Sequence, residues 1–207
     1  MATKFIHQIA RQEDIKQTVK GNYLLGLNDP RVAFVGRSNV GKSSIINALF
    51  NTKLARVSNE PGKTRAIYFY HYQPPFEQAY VVADLPGYGY AKVSQSERQR
   101  WAHFIQSYLN SDPLLKQVFL LWDGKVGPTE QDLQSLEFFL AQEKMIHIVM
   151  TKVDRIKNQK SRVQMEKKVA EILESYDCSD LPLYWTSSKT KKGLAEIKKF
   201  LRECPNE

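Results

Sequence analysis

Cysteine is nearly missing from this chain of 207 residues: there are two, Cys178 and Cys204. Neither belongs to a CxxC pair and no histidine cluster accompanies them, which argues against a disulfide framework or a zinc site. Histidine is also scarce. The four, His7, His71, His103 and His147, show no metal-ligand spacing, and His71 and His147 fall inside strand-like patterns, where packing is the expected role. Long apolar runs are absent. The most apolar stretch, Val118-Phe-Leu-Leu-Trp122, is far short of the ~20 residues that span a bilayer. The N-terminus soon meets Arg11, Glu13, Asp14 and Lys16 and has no apolar core of signal-peptide length. A cytoplasmic protein without a membrane partner is therefore expected. Acidic residues are outnumbered, 22 against 30 Lys and Arg, for a net charge of +8. Such a balance favours an anionic partner, of which RNA or a ribonucleoprotein is the usual kind.

Hydrophobic residues make up 42% of the chain and charged residues 25%, enough to bury a real core. There is no internal repeat and no low-complexity tract. Short apolar or β-branched strands are expected at 31–35, 66–72, 80–83, 118–122, 146–150 and 183–185. Helices are expected at 42–50, 95–109, 129–142, 159–176 and 194–201. Trp101, Ile105, Tyr108 and Leu109 form the apolar face of the second; Leu133, Leu136, Phe139 and Leu140 form that of the third, with Thr129 as its N-cap. Strands alternating with helices predict an α/β fold with a mostly parallel sheet covered on both faces. Residues 1–29 fit no such unit and are taken as an N-terminal extension; residues 30–207 form the domain.

Gly36-Arg37-Ser38-Asn39-Val40-Gly41-Lys42-Ser43 fits G-x-x-x-x-G-K-[ST] between a strand and a helix, and Ser44 follows it. The glycines let backbone wrap a polyphosphate, while successive N–H groups and a helix N-terminus face its charge. Lys42 is expected to reach the β- and γ-phosphates, and Ser43 to ligate Mg²⁺. Asp84-Leu85-Pro86-Gly87 follows the strand at 80–83. A carboxylate at that strand end can hold Mg²⁺ through water, and Gly87 leaves room for its N–H to approach a γ-phosphate.

Thr151-Lys152-Val153-Asp154 follows the strand at 146–150. Asp154 can accept hydrogen bonds from the N1–H and exocyclic amine of guanine, a donor pair that adenine does not present. The Lys152 stem can lie along the base plane. Thr186-Ser187-Ser188-Lys189 follows the last strand, where its backbone N–H groups could reach the guanine O6. Ligands of open α/β sheets sit at these carboxyl ends of strands.

With these motifs, the chain resembles the translation-factor-like GTPases and, within them, the EngB/YsxC/YihA family of bacterial ribosome-assembly GTPases. The likeness is carried by Gly36 to Ser44, Pro61-Gly62-Lys63-Thr64-Arg65, Asp84-Leu-Pro-Gly-Tyr-Gly-Tyr-Ala91, Arg100-Trp101, Tyr108-Leu109 and Thr151 to Asp154. It implies a P-loop G domain with a six-stranded, mostly parallel sheet that binds GTP and GDP. It implies a switch loop whose Thr64 ligates Mg²⁺ and senses the γ-phosphate. It also implies action on the large ribosomal subunit, with defects in cell division and septation when the protein is lost. Asn39 resembles a residue that helps hold K⁺ in related GTPases. One departure lies after Asp123, where Gly124-Lys-Val-Gly127 replaces a basic pair.

Tyr88 occupies the place where many GTPases carry a water-positioning Gln, and Arg37 and Arg65 read as solvated surface arginines. Slow intrinsic turnover of ~10⁻⁴ s⁻¹ or below follows, with a partner supplying the missing group or ordering the switch loops. From Arg155 to Lys168 there are six basic residues and one acid, and Lys189, Lys191, Lys192, Lys198, Lys199 and Arg202 form a second cluster. These are candidate contacts to ribosomal RNA phosphates. A monomer is the default. The competing readings are a P-loop ATPase, disfavoured by Asp154, and a binding module that holds nucleotide without hydrolysing it.

Overall fold

The computed structural model describes residues 2–20, 28–55, 66–74, 78–88, 94–142 and 144–203. The elements run β1 (Ala2–Ile9), α1 (Asp14–Lys20), β2 (Arg31–Gly36), α2 (Lys42–Leu49), β3 (Ile67–Gln73), β4 (Tyr80–Asp84), α3 (Gln95–Ser111), β5 (Leu115–Asp123), α4 (Glu130–Leu140), β6 (Met145–Thr151), α5 (Gln159–Ser175), β7 (Leu183–Trp185) and α6 (Leu194–Glu203). The strands make one sheet in the order β1-β3-β4-β2-β5-β6-β7. From β4 to β7 all neighbours are parallel, while β3 and β1 are added antiparallel.

The sheet has seven strands rather than the expected six. The extra one comes from the segment read as an extension: Ala2–Ile9 pairs with β3 along the sheet edge, Phe5 opposite Tyr70 and Ile9 opposite Ile67. A register shift between Phe5 and His7 explains why it was hidden. A bulge breaks the period-2 alternation by which a half-buried strand is recognised. The helix that follows, α1, buries Ile15 and Val19 in the core and packs against α3, and just before it the Gln12 side chain donates to Ser107 Oγ of α3 at 2.9 Å.

Alternation along β2 sends its side chains to two opposite core layers. Ala33 and Val35 join a layer with α1, α3, α4 and α5; Val32 and Phe34 join one with α2 and α6. Helix α3 buries Ile105, Tyr108 and Leu109 as its spacing predicts. Helix α4 departs from expectation at its end. Leu136 and Phe139 are buried, but Leu140 is 37% exposed and Phe138 takes the inward place against Trp101, with ring centroids 6.3 Å apart.

His147 of β6 is a packing residue, as its strand position suggests. Its ring stacks on Phe119 at 4.5 Å and lies against Phe200 at 4.4 Å. Burial lowers its pKa to about 4. The folded value lies below the ordinary ~6.5, so the neutral ring stabilises the fold fully above pH ~6.5 and the contribution fades as pH falls towards 4. A shift of this size is worth on the order of 3 kcal/mol. His147→Phe is expected to flatten the pH dependence of the urea midpoint between pH 6.5 and 4; an unchanged slope would contradict it.

Candidate functional site

The phosphate loop runs from the end of β2 to the first turn of α2. Gly36 has no room for a side chain: a Cβ there would lie 2.9 Å from Leu121 Cβ, Leu121 O and Val40 Cγ1. The loop then turns through left-handed backbone at Asn39 (φ 63) and Gly41 (φ 101). Asn tolerates that conformation better than most residues and Gly adopts it freely, which gives both a local reason. Helix α2 has no acid in its first turn, so the positive end of its dipole is uncompensated by its own side chains. Ser43 and Ser44 are half-buried in that turn.

Lys42 forms an ion pair with Asp84 at the end of β4, both side chains largely covered. After Asp84 the chain turns back onto the phosphate loop. The Leu85 N–H donates to Phe34 O at 2.9 Å while its side chain sits fully in the core. The Pro86 carbonyl accepts from the Trp101 indole at 3.1 Å. A Cβ on Gly87 would lie 3.0 Å from Gly36 O and 3.3 Å from Ser38 N, so this turn and the loop touch backbone to backbone.

Tyr88 does not face the loop as a Gln would. Its hydroxyl donates to Asp132 Oδ1 of α4 at 2.9 Å, and its ring meets Trp101 edge-on at 6.0 Å. Burial, then the Asp132 charge, holds its phenol well above the usual range. Arg37 is not the solvated arginine expected from sequence. Its side chain is 23% exposed and its Nε lies 3.7 Å from Asp132 Oδ2. Asp132 therefore reaches both motifs, a role that no local pattern announces.

The ends of β6 and β7 form a second half of the site. Thr151 Oγ1 donates to Val40 O at 2.6 Å, tying β6 to the phosphate loop. Lys152, in left-handed backbone (φ 54), donates from Nζ to Asn39 O at 2.6 Å and Asp123 Oδ2 at 2.7 Å. Asp123 was not among the candidates. Burial pushes its carboxyl up, but the Lys152 hydrogen bond and charge and the N–H groups of Lys125 and Val126 outweigh that and hold it below the usual range. Its partner Lys152 lies 29 residues along the chain, which hides the pair from sequence.

Asp154 is exposed, and its Oδ1 accepts from Ser187 Oγ at 2.5 Å. That hydroxyl also accepts from Lys189 N and Thr190 N, which fixes its rotamer. The backbone donors of the last loop are narrower than expected. Thr186 N–H is bound to Met150 O at 2.7 Å and Ser187 N–H to Lys192 O at 3.1 Å. Of the three N–H groups at 186–188, only that of Ser188 donates to no backbone acceptor among the described residues. Gly62, Lys63, Thr64 and Arg65 lie outside the described residues, as do Gly89, Tyr90, Ala91 and Cys204.

Ser43 and Asp84 offer hard oxygen donors, and among the described residues no group of three His, Cys, Asp or Glu could hold an ion. One carboxylate plus a hydroxyl fits Mg²⁺, which keeps waters and phosphate oxygens in its shell, better than it fits a transition metal. No helix among the described residues is long and apolar enough to cross a membrane. Lys157 and Lys160, which follow Asp154 in the chain, and Lys189, Lys191 and Lys192, which follow Ser187, are exposed. Arg162 is already engaged, with Glu166 at 2.5 Å and over the Trp185 ring at 4.0 Å.

Comparison with known proteins shows the family and the fold. Residues 31–152 match the family model described as 50S ribosome-binding GTPase. The site thus belongs to a P-loop GTPase. Two curated relatives share the name "Probable GTP-binding protein EngB". That of Thermotoga petrophila is 43% identical over 166 residues, 80% of this chain and 82% of its own length. That of Rickettsia bellii is 38% identical over 204 residues, 97% of this chain and 90% of its own. This chain belongs to the EngB family of GTP-binding proteins.

Among solved structures, a probable GTP-binding protein EngB superposes with a TM-score of 0.61 at 24% identity, over 83% of this chain and 96% of that one. Aquifex aeolicus Era bound to GDP·AlF4⁻ superposes at 0.68 with 22% identity, over 86% of this chain. The matched region spans 60% of the Era chain. These two likenesses are of fold.

Proposed function

We propose that this protein is a guanine-nucleotide switch that hydrolyses GTP slowly with Mg²⁺ and acts on the large ribosomal subunit. The observation that carries the reading is the meeting of two half-sites on one sheet edge. The phosphate loop with Lys42 and Asp84 is joined through Thr151 and Lys152 to the Asp154–Ser187 pair. Asp154 reads the guanine donors, the Ser188 N–H takes the base carbonyl, and Lys42 faces the β- and γ-phosphates. Ser43 and Asp84, with Thr64, hold Mg²⁺, whose charge offsets that building on the phosphate oxygens. The N–H of Gly87 senses the third phosphate.

Tyr88 is committed to Asp132, so no described side chain in the Asp84–Tyr88 turn plays the water-orienting part of a Gln. Intrinsic turnover of ~10⁻⁴ s⁻¹ or below, raised by a partner, follows from that. Asn39 as a K⁺ ligand belongs to the same proposal, and equal rates in K⁺ and Na⁺ would remove it. So do residues 30–207 as the nucleotide-binding unit of the G domain, to which β1 and α1 add an edge strand and a helix of the same core, a monomeric cytoplasmic protein, and a requirement for normal cell division and septation.

The ribosomal partner is supported by the family description, the charge of +8 and the exposed lysines that follow Asp154 and Ser187 in the chain. Co-sedimentation with purified large subunits tests it, comparing a non-hydrolysable GTP analogue, GDP and an ATP analogue. Pelleting is expected with the GTP analogue alone; equal pelleting in all three would leave only a basic protein adhering to RNA. The double variant Lys157→Glu and Lys160→Glu is expected to weaken pelleting at least tenfold and flatten its salt dependence by about two phosphate contacts. An unchanged salt slope would place the contact elsewhere.

A further inference from the structure

We infer that Asp132 is a positioning residue of the nucleotide site: acting through Tyr88 and Arg37, it holds the Asp84–Gly87 turn docked on the phosphate loop, and this docking favours GTP over GDP. The inference rests on the GTPase reading of the site.

Asp132 lies in the first turn of α4, a helix that contributes to none of the nucleotide motifs, and it is fully buried. Both of its oxygens are used. Oδ1 accepts from the Tyr88 hydroxyl at 2.9 Å. Oδ2 accepts from the Thr129 N–H at 2.8 Å and the Thr129 hydroxyl at 2.7 Å, and lies 3.7 Å from Arg37 Nε. A buried carboxylate persists only where such partners compensate its lost hydration. Helix capping accounts for the Thr129 contacts alone. It does not account for a carboxylate that also faces one residue from each side of the phosphate site.

Those two residues are joined to each other. Tyr88 N–H donates to Gly36 O at 3.3 Å and Ser38 N–H donates to Tyr88 O at 3.0 Å, a parallel bridge between Arg37 and Tyr88. Gly87 sits at the mouth of this bridge, against Gly36 O and Ser38 N. The Lys42–Asp84 pair and the Leu85 N–H to Phe34 O bond hold the start of the turn; its far end is held by the bridge, the Trp101 indole on Pro86 O, and the Tyr88–Asp132 bond. The last ties the γ-phosphate sensor to α4. A ligand shifts such an arrangement only through contacts that it makes in one state and not the other. GTP reaches Gly87 with its third phosphate and GDP does not, so loosening the anchor weakens GTP selectively.

The test is titration of the full chain with GDP and with a non-hydrolysable GTP analogue. Tyr88→Phe removes one hydroxyl and keeps the ring. It is expected to weaken the analogue about tenfold, the scale of one hydrogen bond to a charged group, with GDP within about twofold. Asp132→Ala is expected to do at least as much. Asp132→Asn, which keeps one acceptor for Tyr88 but turns an NH₂ towards the Thr129 N–H and Arg37, recovers only part of the loss. Thr129→Ala lowers the melting temperature but leaves the ratio of the two affinities alone. An unchanged ratio in both Tyr88→Phe and Asp132→Ala would overturn the inference, as would an equal change in Thr129→Ala, which would mean helix capping alone. A wild-type chain that bound neither nucleotide would instead overturn the GTPase reading beneath it.

Discussion

Replacing Asp154 by Asn is expected to weaken GDP and GTP binding by about 10²–10³-fold and to move the base preference to xanthine nucleotides. The carboxylate presents only acceptors, matched to the N1–H and exocyclic amine of guanine. Asn has the same shape but turns one acceptor into an N–H donor, which then faces the guanine amine. Leaving such a pair unmatched costs about 3–4 kcal/mol in a site built to hydrogen-bond, which gives the stated factor. Xanthine carries a carbonyl where guanine carries the amine, so the same Asn amide meets an acceptor. The side chain stays in place because Ser187 Oγ, itself fixed by the N–H groups of Lys189 and Thr190, can still donate to the remaining oxygen. Competitive titration with GDP and XDP measures the effect. Unchanged GDP affinity would show that Asp154 does not read the base.

The second large effect is expected at Lys42. Lys42→Ala should lower affinity for the GTP analogue by 10³-fold or more, GDP somewhat less, and abolish measurable hydrolysis, the expected order for removing the cation that clamps the transferring phosphoryl group. Two losses add. The ammonium no longer meets the phosphates, and in the nucleotide-free chain Asp84, 3% exposed, is left without its counter-charge. The unpaired carboxylate should also lower stability by about 3–5 kcal/mol. Lys42→Ala/Asp84→Asn would recover that stability without recovering hydrolysis. Titration, phosphate release and urea unfolding separate the two parts. Wild-type affinity in Lys42→Ala would contradict the assignment of this loop to phosphate.

The parts of the fold and site legible from sequence are those carried by neighbours in sequence. The phosphate loop is continuous from Gly36 to Ser43, and its strand, glycines and helix announce one another. Asp154 and Ser187 each follow an apolar strand, and parallel strands bring their carboxyl ends together. What stayed hidden depends on contacts across the fold. Asp132 looks like an ordinary helix-capping acid until Tyr88, 44 residues away, is seen to donate to it. Asp123 looks like the end of a strand until Lys152 closes on it. Arg37 counts as surface when only its neighbours in sequence are known. The edge strand at Ala2–Ile9 was masked by its bulge, and the choice between Leu140 and Phe138 was settled by Trp101 on another helix. The donors at Thr186 and Ser187 were taken by the loop's own backbone, a matter of turn geometry that residue types alone do not reveal.

The most direct measurement is phosphate release by the purified chain, with GTP or ATP, in Mg²⁺ or in excess EDTA. The account predicts slow release from GTP, ~10⁻⁴ s⁻¹ or below, that is lost in EDTA, and none from ATP. Hydrolysis of ATP at a comparable rate, or GTP turnover that survives EDTA, would contradict it.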